Sequence, residues 1–221
     1  MGAGARRTTR EDAGTAALPA RFYDRDPVLV AREMLGTIVE RVTEQGTVTG
    51  RIVETEAYLG PHDPACHASA GLTARTRVLY GPPGLAYVYL IYGVYWCLNA
   101  VTRESGFGSA VLVRAIEPLS GLDLMRARRP TARRDRDLTN GPGKLCLAFG
   151  IDGALNGAAL DRPSLRILRG EPVADADVRV SPRIGISRAA EWPYRYFIAD
   201  NEFVSKTPKS FAVSVYSAAA G

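Results

Sequence analysis

The sequence predicts an α+β fold: a single domain with a curved antiparallel β-sheet core, short flanking helices and a protruding β-hairpin. Three observations support this prediction. Alternating, β-branched segments outnumber helical ones, neighbouring strand segments are joined by short turns rather than by helices, and no linker divides the chain. With 221 residues, 46% of them hydrophobic, the chain is long enough to bury one core.

The first predicted element is a short helix that begins after Asp26 and ends at Leu35. Asp26 is the expected N-cap, Pro27 occupies the first helical position, and Gly36 follows the end. The pattern of alternating residues then predicts strands at 37–42, 47–58, 85–91, 94–102 and 109–116.

Turn residues arrange the first four of these strands as two hairpins. Glu44-Gln45-Gly46 separates the first pair, and Tyr92-Gly93 separates the second. The rest of the chain is predicted to contain a helix at 121–129, a solvated loop at 131–137, one or two helical turns at 143–149, short strands at 165–168 and 178–180, and a β-prone segment at 211–216.

Residues 1–18 are predicted to be a flexible basic tail, and 19–221 a single domain. The tail contains Arg6-Arg7, but the residues that follow are polar, whereas a twin-arginine export signal requires an apolar run there. No segment approaches the length of a membrane-spanning helix. We therefore expect a cytoplasmic protein that does not bind membranes.

Composition narrows the possible ligands. The formal net charge of +5 suits a polyanionic partner but does not require one. The three cysteines are odd in number and widely spaced, which argues against a disulfide framework, a zinc site or an iron–sulfur cluster. No metal and no cofactor are expected.

The segment from Arg51 to Gly60 contains the first candidate for chemistry. Because alternate residues of a strand share a face, Ile52, Glu54, Glu56 and Tyr58 are expected on one face of the predicted strand. Two carboxylates close together can differ in pKa and divide acid and base roles between them. The alternative is an exposed face on which both carboxylates contact water or surface cations.

An aromatic run from Tyr87 to Trp96 is the second candidate. Aromatic residues favour strands, so each tyrosine could simply pack in the sheet. Tyr92, however, falls at the predicted turn, where its ring would protrude and could enter a stack of DNA bases. Its neighbours on the strand could then stack against an extruded base.

Two further residues are candidates on their own. His67 follows the Glu56 strand in a loop, where a histidine is ordinarily a surface residue. Arg114 lies inside an apolar run and needs a partner, for which Glu56 or a DNA phosphate is suitable. Lys144, in Gly141-Pro142-Gly143-Lys144-Leu145, matches a phosphate-binding loop poorly because the flanking glycine and serine or threonine are absent.

Several ordered strings together resemble the alkyladenine (3-methyladenine) DNA glycosylase family. They are Val53-Glu54-Thr55-Glu56-Ala57-Tyr58-Leu59-Gly60, Tyr87-Val88-Tyr89-Leu90-Ile91-Tyr92-Gly93, Leu112-Val113-Arg114-Ala115-Ile116-Glu117-Pro118 and Gly141-Pro142-Gly143-Lys144-Leu145, together with Asp63, His67 and Asn99. The resemblance extends from about Phe22 to Ser205. Trp96 and the arginine-rich stretch 126–136 depart from the family pattern and leave the preferred lesion open.

The resemblance implies a role for each matching residue. Glu56 corresponds to the general base that activates water, and Arg114 to the arginine that holds this carboxylate and the water. Tyr92 corresponds to the tyrosine inserted into DNA. The residues implied for the base pocket are Tyr58, His67, Tyr89 and Asn99, of which Asn99 disfavours normal guanine by crowding its exocyclic amine.

The implied protein is a DNA glycosylase of base-excision repair. It would flip an alkylated or deaminated purine out of double-stranded DNA and leave an abasic site, acting as a monomer without a protein partner. Since no lysine lies between Arg51 and Asn99, a monofunctional enzyme is expected, with Lys144 as the nearest amine. Two alternatives stay open: a non-catalytic module that binds damaged DNA, and a carbohydrate hydrolase that uses Glu54 and Glu56.

Overall fold

The computed structural model describes residues 16–218, which form ten strands, all paired antiparallel in one open sheet, and five short α-helices. The α+β fold is therefore confirmed. The helices are α1 (Ala20–Tyr23), α2 (Pro27–Met34), α3 (Leu122–Arg128), α4 (Arg136–Thr139) and α5 (Pro142–Phe149). The strands are β1 (Ile38–Thr43), β2 (Gly46–Tyr58), β3 (Ala86–Ile91), β4 (Tyr95–Thr102), β5 (Ser109–Ser120), β6 (Asp161–Arg162), β7 (Leu165–Leu168), β8 (Val178–Ser181), β9 (Arg195–Ile198) and β10 (Ser214–Val215).

Strand β2 is the centre of the sheet. This 13-residue strand pairs with β5 along one edge, and with β1 and then β9 along the other. Beyond β5 the sheet continues through β4 to β3, and on the far side β1 pairs with β7. The second half of β2, which carries the candidate glutamates, is thereby held between β5 and β9 and has no free edge.

Helix α2 begins and ends as its capping residues predict. The Asp26 side chain accepts a hydrogen bond from the Val28 amide, and Pro27 is the first helical residue. Gly36 follows with φ of +88°, and a Cβ there would lie 2.2 Å from the Glu171 carbonyl oxygen. The chain can turn from the helix into β1 at this point because glycine has no Cβ.

Helices α2 and α5 cover the core of the sheet. Val30 and Met34 of α2 and Phe149 of α5 are fully buried in the main hydrophobic cluster, with Leu98 of β4 and Val113 of β5. Burying a side chain of this size stabilises the fold by about 1.5–3 kcal/mol. This packing assigns one face of the central strands to the core.

Both predicted hairpins are present, with strand ends within two residues of those expected. Two predictions about strand lengths are wrong: β5 continues four residues beyond Ile116, and only Ser214–Val215 of the segment 211–216 is a strand. Strand β9 is absent from the predictions because four residues beginning with an arginine give no detectable alternation.

The predicted tail lies mostly outside the described residues, since its first fifteen residues are not among them. Its last three residues instead join the sheet. Ala17 forms a bridge with Leu168, the Leu18 amide donates to the Ile167 carbonyl, and the Leu18 side chain is buried. Apolar burial at Leu18 therefore attaches residues 16–18 to the domain.

Candidate active site

The candidate site is a cavity of about 660 Å³ beside the β3–β4 hairpin. Its lining includes Tyr58, His67, Tyr87, Tyr89, Tyr92, Tyr95, Asn99, Leu112, Arg114, Arg129, Lys144 and Ile184. Six of the seven residues predicted for the site are among these lining residues. The seventh, Glu56, is fully buried behind them.

Strand alternation separates the cavity from the core. In β4, Leu98 and Ala100 belong to the main hydrophobic cluster, whereas Cys97 and Asn99 line the cavity. The period-two pattern of strands thus places the polar and aromatic residues on the opposite face from the main core.

The predicted face of β2 is correct for its second half and wrong for Ile52. Register shifts between β2 and β5 leave Val53 without a direct partner, so this position forms a bulge. Ile52 consequently belongs to the same hydrophobic cluster as Ala57, rather than to the face of Glu54 and Glu56. Irregular pairing of this kind has no signature in the sequence alternation.

Glu56 has three contacts in the described part of the chain. One carboxylate oxygen, Oε1, accepts a hydrogen bond from the Ile184 amide at 2.7 Å and lies 3.3 Å from Nη1 of Arg114. The other, Oε2, accepts from the Tyr58 hydroxyl at 2.9 Å. The alternative of an exposed glutamate is therefore wrong. All three contacting residues line the cavity.

Glu54 is equally buried and more completely bound. Its Oε1 accepts from Nε of Arg114 at 3.1 Å, Nε of Arg195 at 2.6 Å and Oγ of Ser205 at 2.7 Å. Its Oε2 accepts from the Ser205 amide at 2.8 Å. Burial by itself would raise the pKa of Glu54, but the two guanidinium charges and the Ser205 hydrogen bonds lower it below its ordinary value.

Arg114 connects the two carboxylates. The prediction that its charge needs a partner is confirmed, and the partners are both glutamates. Burial opposes its charged form, but Glu56 and Glu54 outweigh that effect and raise the pKa of Arg114. Its Nη1 also lies 3.5 Å from the Ile184 carbonyl oxygen, which brings Arg114, Glu56 and the Ile184 backbone to one point of the cavity wall.

Aromatic rings form a second wall of the cavity. The His67 ring lies edge-on to Tyr89, with 4.5 Å between centroids, and its Nδ1 lies 2.9 Å from the Tyr87 hydroxyl. Burial, and then the nearby Arg75 charge, lower the pKa of His67. Burial also raises the pKa of Tyr58 well above its ordinary value, so both rings are neutral at neutral pH. The wall is an uncharged aromatic surface of the kind against which bases stack.

Asn99 lies on the cavity floor in a fixed orientation. Its side-chain nitrogen donates to the Tyr87 carbonyl oxygen at 3.0 Å, and the residue is buried. The amide group is therefore unable to move aside freely when a ligand enters.

Tyr92 stands at the tip of the β3–β4 hairpin. Its backbone φ is +54° and that of Gly93 is +70°, and the Val94 amide donates to the Ile91 carbonyl to close the turn. The side chain is 80% exposed. The prediction of a protruding aromatic at this turn is confirmed, and the alternative of a core tyrosine is wrong.

Four residues of the site escaped the sequence analysis: Arg183, Ile184, Arg195 and Ser205. Arg183 forms a buried ion pair with Asp63, donates to the Ala57 carbonyl, and lies 4.7 Å from the centre of the Tyr58 ring. One signal was available, because Pro182-Arg183-Ile184-Gly185-Ile186 places an arginine among apolar residues, as the run around Arg114 does.

Lys144 lines the same cavity, and its Nζ donates to the Asn140 side chain at 2.7 Å. Among residues 16–218, no group of three or more histidine, cysteine, aspartate or glutamate side chains is arranged to hold a metal ion. None of the helices in that part of the chain is long and apolar enough to cross a membrane. What the geometry offers is a buried carboxylate beside an aromatic cavity, with an arginine and a backbone carbonyl next to it.

Comparison with known proteins connects this geometry to one family. A family model described as methylpurine-DNA glycosylase matches residues 21–202. Relatives from Myxococcus xanthus and Methanocella arvoryzae are each 48% identical and cover 86% of this chain, with 94% and 96% of their own lengths matched. A relative from Legionella pneumophila (strain Corby) is 46% identical over 193 residues. Each bears the name "Putative 3-methyladenine DNA glycosylase".

Proposed function

The chain belongs to the methylpurine-DNA glycosylase family and is a DNA glycosylase of base-excision repair, and we propose that its substrates are alkylated and deaminated purines in duplex DNA. The damaged nucleotide is flipped into the cavity, where an activated water hydrolyses the bond between purine and deoxyribose. The observation that carries this proposal is the buried Glu56, whose three contacting residues line an aromatic cavity beside the exposed Tyr92.

The aromatic wall suits the damaged base. Tyr58, His67 and Tyr89 present uncharged rings to the cavity, and stacking of a base on such rings contributes about 1–3 kcal/mol. A purine alkylated at N3 or N7 is cationic, and a cation over an aromatic face gains about 0.5–2 kcal/mol more. Asn99 would crowd the exocyclic amine of normal guanine and so disfavour it.

Glu56 acts as the general base in this proposal. Its Oε2 accepts one hydrogen bond within the described chain, from Tyr58, which leaves a lone pair for a water molecule. Arg114 and the Ile184 carbonyl lie beside it and would orient that water. A well-placed general base contributes about 10²–10⁴ in rate.

The Glu56 carboxylate has a second role in this proposal, which is to stabilise positive charge on the sugar. As the glycosidic bond breaks, positive charge develops on the deoxyribose, as in glycosidases. A buried carboxylate stabilises this charge more strongly than an exposed one because little water screens it. A cationic alkylated purine leaves readily, so the chemistry needs no further group for that class of lesion.

Tyr92 is proposed as the group that enters DNA. Flipping a nucleotide costs a few kcal/mol, and the cost is lower for damaged or mispaired bases. An aromatic ring inserted into the gap restores part of the lost stacking. The net charge of +5 is consistent with a DNA ligand. We expect a monomer that acts on the nucleoid in the cytoplasm, where chromosomal DNA is found.

The test is single-turnover release of hypoxanthine, ethenoadenine and 3-methyladenine from duplex DNA by the wild type and by Glu56→Gln. We expect base release by the wild type, a loss of about 10²-fold or more in the variant, and unchanged lesion binding in a gel shift. Glu117→Gln is the matched control, because Glu117 pairs with Arg51 on the same two strands and does not line the cavity.

Three outcomes would contradict the proposal in different ways. Unchanged turnover in Glu56→Gln would remove Glu56 from the mechanism. Tight binding to an abasic-site duplex without base release from any lesion would favour a non-catalytic damage-binding module. A strand break before alkali treatment that disappears in Lys144→Gln would assign a lyase step to Lys144.

A further inference from the structure

Glu54 is a buried carboxylate beside Glu56 that the proposed mechanism leaves unused. Two glutamates and two arginines lie together here: Glu54, Glu56, Arg114 and Arg195, each at most 6% exposed. Their formal charges sum to zero, so the cluster is balanced only when both glutamates are ionised. Replacing a buried ion pair by apolar residues is often neutral or stabilising, so a second glutamate at this place requires a reason.

The geometry points to Glu54 as a positioning residue for the reaction, one that holds Arg114 in the orientation in which its Nη1 approaches Glu56. This inference rests on the proposed function, because it assigns Glu54 a task only if Glu56 is the base. Glu54 does not line the cavity, and its side chain is fully buried.

The first step of the argument concerns the shape of the guanidinium group. Arg114 donates from Nε to Glu54 at 3.1 Å, while its Nη1 lies 3.3 Å from Glu56. Because the group is planar and rigid, two contacts at different nitrogens define its orientation. Without Glu54, Arg114 would be free to turn and form a two-point pair with Glu56, since this geometry is the preferred one for arginine and carboxylate. Such a pair would occupy the oxygen that the proposed water needs.

The second step concerns how Glu54 is itself held. Arg195 and both polar groups of Ser205 donate to it, over 141 and 151 residues of sequence. Arg195 is further bound to Ser181 and to Thr207. These hydrogen bonds hold Glu54 against β9 and the chain that follows it. Because Arg114 donates to Glu54, the orientation of Arg114 is fixed as well.

The third step concerns charge. The pKa of Glu54 is lowered despite its burial, so its negative charge is present throughout the neutral range. That charge opposes the field of Arg114 at Glu56, because like charges disfavour one another's ionised forms.

Other groups near Glu56 must be considered in any experiment that varies pH. The charged or titratable residues facing it are Glu54 and Tyr58 on β2, Arg114 on β5, Tyr89 on β3, Cys97 on β4 and Arg183 on the loop before β9. Glu54→Gln replaces only Glu54 among these groups, so a shift of the pH profile in that variant reports the loss of the Glu54 charge.

The experiment is the pH–rate profile of single-turnover base release by the full chain, compared between wild type and Glu54→Gln. We expect a slower chemical step, by about 10- to 100-fold because small misplacements have effects of that order, with unchanged affinity for lesion DNA. The acid limb of the profile is expected to move to lower pH, since a carboxylate beside an uncompensated arginine is harder to protonate. A purely structural role predicts the opposite shift, because a destabilised protein loses activity first in acid.

Further variants are measured beside Glu54→Gln. Ser205→Ala removes one donor to Glu54 and leaves every charge in place, so it reports positioning even if Glu54→Gln does not fold; a slower chemical step is expected. Glu117→Gln serves as the control with an unchanged rate. In a Glu56→Gln background, Glu54→Gln is expected to cause little further loss, because both substitutions act on one step.

These experiments distinguish failure of the proposed function from failure of the positioning role of Glu54. If Glu56→Gln releases bases at the wild-type rate, the proposed function itself is overturned. Suppose instead that Glu56→Gln is inactive, while Glu54→Gln and Ser205→Ala are folded and keep the wild-type rate and the wild-type acid limb of the pH profile. Only the positioning role is then overturned. An acid limb that moves to higher pH in step with a lower melting temperature also overturns it in favour of a structural role.

Discussion

Arg183 and Asp63 form a two-point ion pair whose side chains are completely buried, and they are 120 residues apart in the chain. The pair attaches the loop that carries Ile184 to the end of β2, where Arg183 also donates to the Ala57 carbonyl. The backbone amide that binds Glu56 belongs to this loop. The ion pair therefore supports the site although neither member takes part in the proposed chemistry.

Arg183→Ala is expected to lower the free energy of unfolding by about 3–5 kcal/mol, because it leaves Asp63 buried without its partner. Urea denaturation measures this loss. Arg134→Ala is the control: it breaks an exposed pair with Asp137, for which less than about 1 kcal/mol is expected. Equal losses in the two variants would show that burial does not make the Arg183 pair special.

Tyr92→Ala is expected to weaken binding to lesion DNA by about 1–3 kcal/mol, roughly 5- to 150-fold, without lowering the melting temperature. The reason is that the ring is 80% exposed and so contributes little to the folded protein. A matched variant is Tyr92→Gly, which also removes the strain of about 1–2 kcal/mol that a side chain adds at positive φ. A melting temperature that falls by many degrees in both variants would contradict the expectation that this ring contributes little to stability.

Asn99→Ser is expected to increase excision of undamaged guanine relative to alkylated purines, because it shortens a side chain held rigidly against the Tyr87 carbonyl. Competition between the two substrates in one duplex mixture measures the ratio. Thr102→Ser is the control, since Thr102 lies on the same strand and does not line the cavity. An unchanged substrate ratio in Asn99→Ser would contradict the steric account.

Stability is expected to fall in acid through His67. Its pKa is lowered in the folded protein by burial and by Arg75, so below about pH 6.5 the unfolded chain takes up a proton that folded His67 resists. The stabilisation is present above that pH and is lost as the pH falls. Free energies of unfolding at about pH 5 and pH 7.5 measure it. His67→Gln should weaken the dependence, whereas His62→Gln, at the other and exposed histidine, should leave it intact.

Local patterns in the sequence predicted those parts of the fold that depend on neighbouring residues. Asp26, Pro27 and Gly36 predicted the ends of helix α2, and Tyr92-Gly93 predicted a turn with a protruding ring. The strands of both hairpins follow from alternation, because a strand exposes its two faces to different surroundings at every second residue. Of the six predicted site residues that line the cavity, four lie on strands and follow this alternation, namely Tyr58, Tyr89, Asn99 and Arg114, whereas His67 and Tyr92 lie outside the strands.

Only the tertiary structure decided which distant groups complete the site. The bulge at Val53, the pairing of β9 with β2, and the contacts of Arg183 with Asp63 and of Ser205 with Glu54 follow from no local pattern. Apart from the bulge, these contacts join residues more than 100 positions apart, and each forms because a buried charge or amide must find a partner once water is excluded. The sequence by itself therefore determined the strands, the turns and the candidate chemical groups, whereas the closing of the chain around them determined how each group is held.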